Sequence, residues 1–322
     1  MRGTVIRTAG SSYTVRTNGG EEVECSVRGN FRLRGIRTTN PVAIGDDVEI
    51  TAGTGGKGMI TAVGDRRNYI IRRSTNLSKQ SQILAANIDL VLLFVTVARP
   101  ETYPAFIDRF LASAEAYRVP VALVFNKIDS YSPEETGQML DMSGVYERIG
   151  YEVHRISALQ PISESIKSLL CNRITLLAGN SGVGKSTFVN ALVPDANAKT
   201  AGISESHLTG MHTTTDSRMY HLPAGGDIID IPGIKGFGSF DMQREEISHY
   251  FREIFARGRE CRFANCTHTS EPGCAVKQAV ENGNIALSRY TSYLGMLDDV
   301  NESDRTDARV SAWTEMLKAD LA

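Results

Sequence analysis

The sequence predicts a multidomain protein in three parts: an all-β segment, an α/β segment on a parallel sheet, and a mainly helical segment. Three observations carry this. Short runs of alternating apolar residues, separated by Gly and Asn turns, fill residues 1–72. Wholly apolar runs then alternate with stretches of helical spacing up to about residue 240, the pattern of a parallel sheet covered by helices. Beyond that point only helical spacing remains, interrupted by a loop rich in cysteine. A chain of 322 residues is long enough for more than one core.

In the first part, Tyr13, Val15 and Thr17 alternate, Asn18-Gly19-Gly20 turns the chain, and Val23, Cys25 and Val27 alternate on the way back. Val48 and Ile50 follow a Gly45-Asp46 turn, and residues 53–58 offer another. About five short strands in this length fit a small barrel of the oligonucleotide-binding kind, an OB-fold. The segment is locally basic. Arg2, Arg7, Arg16, Arg28, Arg32, Arg34, Arg37, Lys57, Arg66, Arg67, Arg72 and Arg73 face only seven acidic residues. Such a field attracts phosphate, so nucleic-acid binding is favoured over a merely solvated surface.

Residues 73–88 read as a polar linker. After it, 89–97 (DLVLLFVTV) is a buried strand, and Phe106, Phe110, Leu111, Ala114 and Tyr117 recur at helical spacing. Further strands are expected at 121–125, 152–158 and 172–179, with helices between them and from Lys185 onward. The polar stretch 194–215 is too long for an ordinary connection, which marks a functional loop. Strands at 217–223 and 226–233 close the second part. In the third, Ile247, Tyr250, Phe251, Ile254 and Phe255 form one apolar stripe, and Leu287, Tyr290, Leu294 and Leu297 another. The boundaries expected are 1–72, 73–240 and 241–322, the final twenty or so residues being polar apart from Trp313.

Composition narrows the class. The chain is 41% hydrophobic and 22% charged, ordinary for a globular protein, and its net charge of −2 confines any basic surface to a local patch. The longest apolar run suits a strand and falls short of a membrane span, and the stretch MRGTVIRTAG lacks the apolar segment expected of a signal peptide. Five cysteines, an odd number, argue against a disulfide framework. A cytoplasmic protein is expected.

The chemistry begins at residues 179–186, GNSGVGKS, which fit G-x-x-x-x-G-K-[ST] between a strand and a helix. Gly179, Asn180, Ser181, Gly182, Val183 and Gly184 bring backbone N–H groups around phosphates, and the helix start adds its positive dipole end. Lys185 should reach the β- and γ-phosphates, the Ser186 hydroxyl should ligate Mg2+, and Thr187 completes the loop. Asn126-Lys127-Ile128-Asp129 fits the N-K-x-D signature of guanine recognition, at the carboxyl end of a parallel strand where open sheets place ligands. Asp129 can accept from N1–H and N2–H2 of guanine, which adenine cannot offer. Lys127 lies along the base, and Asn126 holds the loop and the purine edge. Ser157-Ala158, at the end of the next strand, resembles the S-A element that meets O6 of guanine.

Asp230-Ile231-Pro232-Gly233 fits D-x-x-G, with Asp230 holding Mg2+ through water and the Gly233 N–H sensing the γ-phosphate. Of Thr213, Thr214 and Thr215 in the long loop, Thr214 is chosen as the switch threonine covering Mg2+. From the amino end the elements run N-K-x-D, S-A, phosphate loop, threonine run, D-x-x-G. Linear order is rotated while cyclic order is kept, so the central part reads as a circularly permuted P-loop GTPase domain. Ile234 stands where many GTPases place a water-orienting glutamine. Intrinsic turnover of about 10−4–10−2 s−1 is expected, rising with a partner. His212 either orients water or is a loop histidine without a chemical role.

Cys261, Cys266, His268 and Cys274 follow C-x4-C-x-H-x5-C. Three thiolates and an imidazole so close together suit one tetrahedral structural Zn2+. Cys25 and Cys171 sit at strand and helix-end positions and read as core residues.

A basic barrel, a GTPase domain permuted in this order, and this cysteine–histidine segment together resemble the ribosome small-subunit-dependent GTPase A family, also called RsgA, YjeQ or YloQ. The resemblance covers nearly the whole chain. It implies GTP hydrolysis stimulated by the small (30S) ribosomal subunit, a role in late subunit maturation, an OB-fold that binds 16S rRNA, and a bacterial cytoplasmic setting. GTP/GDP, Mg2+ and one Zn2+ are the implied ligands. No membrane or DNA partner is expected, and the protein is expected to act as a monomer. One departure is visible: where the family often has G-R-H-T-T-T, this chain has Gly210-Met211-His212 before its threonines.

Overall fold

The computed structural model describes residues 1–27, 41–52, 57–73, 81–196, 198, 217–231 and 242–300. These pack as two compact units, one within Met1–Thr102 and Tyr117–Phe237, the other within Tyr103–Ala116 and Gly238–Ala322.

The first unit opens with a five-stranded barrel. Its strands are β1 (Arg2–Ala9), β2 (Ser12–Thr17), β3 (Glu22–Val27), β4 (Asp47–Ala52) and β5 (Gly58–Val63). They run in the order β1-β2-β3-β5-β4, and β1–β4 pairing closes the ring. Alternation does the work: Val5, Tyr13, Val15, Cys25, Val48, Ile50 and Ile60 point inward and form one core. Of the twelve basic residues expected here, Arg28, Arg32, Arg34 and Arg37 lie outside the described residues, as do 53–56 of the expected turn.

The expected polar linker is corrected in part. β6 (Tyr69–Arg73) pairs antiparallel with β7 (Ser81–Ala86), and Ile83, Ala85 and Ala86 of β7 are buried. The apolar Ile83 and small Ala85 and Ala86 are what the polar neighbours masked. Ile44 forms a parallel bridge to Ala85, so this hairpin is stitched to the barrel.

The rest of the unit is a sheet in the order β10-β9-β8-β11-β13-β12. Its strands are β8 (Leu90–Val95), β9 (Val121–Phe125), β10 (Glu152–Arg155), β11 (Ile174–Ala178), β12 (Ser217–His221) and β13 (Asp227–Asp230). All pairings among β8, β9, β10, β11 and β13 are parallel, and β12 joins antiparallel. Every residue of β8 is buried, as a strand covered on both faces must be. Helices α2 (Pro133–Ile149), α3 (Glu164–Leu170) and α4 (Lys185–Leu192) connect the strands. Leu92, Val124, Leu177, Phe188 and Ile228 centre its core.

The sequence did not announce how this sheet continues into the barrel. β12 pairs with β1, Arg7 opposite Arg218 and Thr8 opposite Ser217, so one hydrogen-bonded sheet runs through both. Arg16 of β2 also makes a two-pronged salt bridge to Asp227 of β13, at 2.9 and 3.0 Å.

The second unit holds α1 (Pro104–Ala116), a 3-10 segment (Arg244–Tyr250), α5 (Arg252–Gly258), α6 (Ala275–Glu281) and α7 (residues 287–300). The expected stripe around Phe251 is broken there: Phe251 is extended between the 3-10 turn and α5. Ile247, Phe251 and Ile254 nevertheless share one core with Val276, Tyr293 and Met296. Leu287, expected on an apolar face, is 68% exposed in the first turn of α7. Trp313 and the polar tail lie outside the described residues. Among the described residues no helix is long and apolar enough to cross a membrane.

Candidate nucleotide site and metal cluster

The carboxyl ends of β8, β9, β10, β11 and β13 lie along one edge of the parallel sheet, and each delivers one loop. β11 runs into residues 179–187, with α4 starting at Lys185. The glycines there are required by geometry. Gly184 has φ of +101°, and a Cβ on it would lie 2.2 Å from Nδ2 of Asn126. Gly179 has φ of +132°, and its Cβ would meet the Phe94 carbonyl oxygen at 2.5 Å. Val183 is buried, Ser181 and Gly182 are exposed, and Asn180, Ser186 and Thr187 are half-buried.

Lys185 is buried, and its ammonium donates to the carbonyls of Gly179 and Asn180, both at 2.8 Å. Burial lowers its pKa from the ordinary lysine value, and the Asp230 carboxylate opposes that shift. Burial likewise raises the Asp230 carboxyl, against the pull of Lys185. A hydroxyl (Ser186) and a carboxylate (Asp230) are hard oxygen donors of the type Mg2+ selects.

Asn126 ties three loops together. It is 1% exposed at the end of β9, its Nδ2 donates to the Val183 carbonyl at 2.8 Å, and its Oδ1 accepts from the Ala158 N–H at 2.9 Å. Thus the loops at 126–129 and 179–187 and the Ser157-Ala158 turn share one side chain. Ser157 and Ala158 are buried, and the Ser157 hydroxyl accepts from Leu159 N–H. Lys127 takes the left-handed conformation with φ of 66°, and its ammonium donates to the Arg99 carbonyl at 2.6 Å. Ile128 and Asp129 are exposed, so the Asp129 carboxylate is open to an incoming donor rather than sunk in a pocket. Gly233, Ile234, His212, Thr213, Thr214 and Thr215 lie outside the described residues.

Sequence reasoning missed the loop after β8. Arg99 binds Glu135 through two hydrogen bonds of 2.7 Å and the Ser130 carbonyl at 2.8 Å. Pro100 stands 3.5 Å from where a Gly182 Cβ would be. The Tyr131 hydroxyl donates to the Asn126 carbonyl at 2.6 Å and accepts from Val97 N–H. These residues brace both Asn126 and Lys127 from behind. The available signal was the ARPE run directly after an apolar strand at the same sheet edge.

In the second unit Cys261, Cys266, His268 and Cys274 offer ligand atoms within 4.8 Å of one another. Sγ of Cys261 and Sγ of Cys274 are 3.9 Å apart, and each is 3.5 Å from Nδ1 of His268. A regular tetrahedron with zinc bond lengths needs about 3.8 Å between sulfurs and about 3.6 Å from sulfur to nitrogen. The cluster therefore fits zinc. Burial pushes the Cys266 thiol up to about 12 and raises Cys274, so their thiolates need a compensating cation, while burial lowers His268 and keeps it neutral for ligation. The loop is held from outside as well. Glu271 accepts from Thr267 N–H, Thr267 Oγ1 and Thr269 N–H, and the hydroxyls of Tyr290 and Tyr293 donate to the carbonyls of His268 and Thr267.

A parallel sheet whose loop order begins with the base reader and reaches the phosphate loop only two strands later defines a circularly permuted P-loop GTPase. Comparison with known proteins agrees and is more particular. The profile described as "RsgA GTPase" matches residues 63–240, and that of the "RsgA N-terminal domain" matches residues 2–60. The chain belongs to the RsgA GTPase family. It is 57% identical over 94% of its length to a Bacteroides fragilis protein named "Small ribosomal subunit biogenesis GTPase RsgA", covering 98% of that relative. A Porphyromonas gingivalis protein of the same name is 54% identical over 94% of this chain and 98% of its own. Among solved structures, YjeQ from Thermotoga maritima superposes with a TM-score of 0.72 at 34% identity, over 92% of this chain and 97% of that one. YloQ, described as a circularly permuted GTPase, gives 0.68 at 26% identity over 94% and 95%.

Proposed function

We propose that this GTPase couples hydrolysis of the GTP γ-phosphate to late maturation of the small (30S) ribosomal subunit, and that the subunit itself stimulates hydrolysis. The observation that carries this reading is likeness over nearly the full length to relatives named for small-subunit biogenesis. The barrel, residues 1–72, takes 16S rRNA; residues 73–240 take the nucleotide; residues 241–322 hold the metal. The protein works in the cytoplasm as a monomer.

In this reading Asn126, Lys127 and Asp129 read guanine, with Ser157-Ala158 closing the far edge. Lys185 exchanges its two carbonyl partners for β- and γ-phosphate oxygens, and the N–H groups of 179–187 share the remaining charge. Ser186 and Asp230 hold Mg2+, with Thr214 and Gly233 as switch contacts. Mg2+, when bound, neutralises charge that develops on the phosphate oxygens. His212, in the same switch, orients the attacking water in place of the glutamine replaced by Ile234. Cys261, Cys266, His268 and Cys274 hold one Zn2+, whose role is structural.

Phosphate release measured with purified small subunits, large subunits and neither tests the reading. Stimulation by small subunits alone is expected. GTP-dependent binding to the subunit with unchanged turnover would sink it in favour of a nucleotide-gated RNA-binding switch.

A further inference from the structure

The four ligands of the metal cluster are unequal in a way their spacing does not show. Cys261 is half-buried, and its sulfur alone among the four ligand atoms is not fully covered. Cys274 and His268 are each 3% exposed. Cys261 lies just past α5, its N–H donating to the Gly258 carbonyl at 3.1 Å. Cys274 caps α6, and its sulfur accepts from the Lys277 N–H at 3.5 Å. One thiol is therefore reachable from solvent, and the other is held in place behind it.

The backbone pairs the same two residues. One step in from each, the Arg262 N–H donates to the Gly273 carbonyl at 3.3 Å. Gly273 has φ of +71°, and a Cβ on it would stand 3.4 Å from Cβ of Arg262, so the two chain segments run close together. The sulfurs of Cys261 and Cys274 are 3.9 Å apart. Closing that gap to a disulfide bond of about 2.05 Å takes side-chain rotation rather than movement of the chain. Cys266 sits instead in a turn of its own, its N–H donating to the Phe263 carbonyl at 3.2 Å.

We propose that Cys261 and Cys274 are an oxidative modification site for hydroperoxides, in which Cys261 reacts first and Cys274 resolves it. The Cys261 thiolate attacks one oxygen of hydrogen peroxide: the S–O bond forms, the O–O bond breaks and hydroxide leaves. The Cys274 thiolate then attacks the Cys261 sulfur: the S–S bond forms, the S–O bond breaks and a second hydroxide leaves. Two thiolates have given two electrons to one peroxide. Cys266 and His268 are then the only donors left where a tetrahedral site needs four, so zinc is released. No cysteine falls within residues 126–129, 157–158 or 179–187, so the nucleotide edge keeps its chemistry. The inference goes beyond the small-subunit reading and rests only on the assignment of zinc to the cluster.

Hydrogen peroxide added to the full-length, zinc-loaded protein tests it. One zinc is expected to leave for each peroxide consumed, about tenfold faster than from untreated protein, as followed with a chromogenic chelator. Mass mapping should find Cys261 joined to Cys274, with GDP binding retained. Brief exposure in the presence of dimedone, which traps sulfenic acid, should label Cys261. Dithiothreitol with added zinc should reverse the bridge and restore the metal. Cys261→Ser should lose both the adduct and the bridge; should that variant fail to hold zinc, the wild-type adduct and bridge decide. Zinc retained after the cluster thiols are oxidised, a bridge from Cys266 to Cys274, or a first adduct on Cys266 overturns the proposal. Oxidation confined to Cys25 and Cys171 equally overturns it. If the protein takes up no zinc, the zinc assignment falls, while the position of the bridge still judges the pair.

Discussion

The nucleotide edge of the first unit and the metal loop of the second solve one problem, holding irregular backbone still, by opposite means. At the nucleotide edge the frame is hydrophobic. Leu92, Val124 and Leu177, in adjacent or nearby parallel strands, are fully buried, and the loops grow from strand ends already fixed. In the second unit α5 and α6 have seven residues each, too short to persist alone. Their frame comes from side-chain crosslinks: four ligand atoms around one point, and Arg289, 1% exposed, held between Asp108 at 2.8 Å and Glu253 at 2.6 Å. The lesson is that a sheet leaves loop residues free for chemistry, whereas a small helical unit must commit polar side chains to its own assembly.

The largest test of this contrast is removal of the metal. Chelation, or Cys274→Ser, should abolish one equivalent of bound zinc and unfold the second unit, since metal binding at such sites contributes about 10–16 kcal/mol of folding free energy. Circular dichroism should lose the signal of α5, α6 and α7 while GDP binding persists. Loss of both together would break the contrast. Next in size is Arg289→Ala, which removes the guanidinium shared by buried Asp108 and half-buried Glu253. A loss of about 3–5 kcal/mol is expected in urea unfolding of the second unit. An effect below about 1 kcal/mol would mean that packing rather than charge frames that unit.

What was legible in the sequence was whatever lies in contiguous chain. Residues 179–187, 126–129 and the cysteine–histidine segment are each a pattern complete within a short window, so spacing alone singles them out. The barrel was legible because burial alternates along each strand. What escaped depends on distant residues meeting. Nothing local marks Arg16 as the partner of Asp227, or β1 as the neighbour of β12. Ser81–Ala86 hid as a linker because its polar ends outweigh Ile83 and two alanines, yet pairing with Tyr69–Arg73 buries it. Asn126 was read as holding its own loop and the purine edge. Its brace between Val183 and Ala158 needed coordinates, because the three loops are far apart in sequence.

That brace gives the third test. Asn126→Ala removes two hydrogen bonds inside a buried junction and leaves the Val183 carbonyl and Ala158 N–H without their partner. A stability loss of about 1–3 kcal/mol is expected for the first unit, together with weaker GDP binding by calorimetry. Asn126→Asp keeps an acceptor for Ala158 but sets a carboxylate against the Val183 carbonyl, so its affinity for GDP should fall further. Equal affinities for wild type and both variants would show that the loops are positioned by the sheet alone.

The smallest effect sits at the exposed end of the same brace. Arg99 and the Ser132 N–H hold the Glu135 carboxyl at about 2, below the ordinary glutamate value of 4.5. A carboxyl whose folded pKa is depressed stabilises the folded state above the unfolded value and loses that contribution as pH falls through the folded one. The window is therefore from about 4.5 down to about 2. Because the Glu135–Arg99 pair sits at the surface with Arg99 exposed, the consequence is local: the loop carrying Arg99 and Pro100 should loosen within that window while the sheet stays intact. NMR titration of the Glu135 carboxyl should give a midpoint near 2 in wild type, moved up toward 4.5 in Arg99→Ala. An unmoved midpoint in that variant would leave the Ser132 cap, rather than Arg99, as what holds the carboxylate beside the base-reader loop.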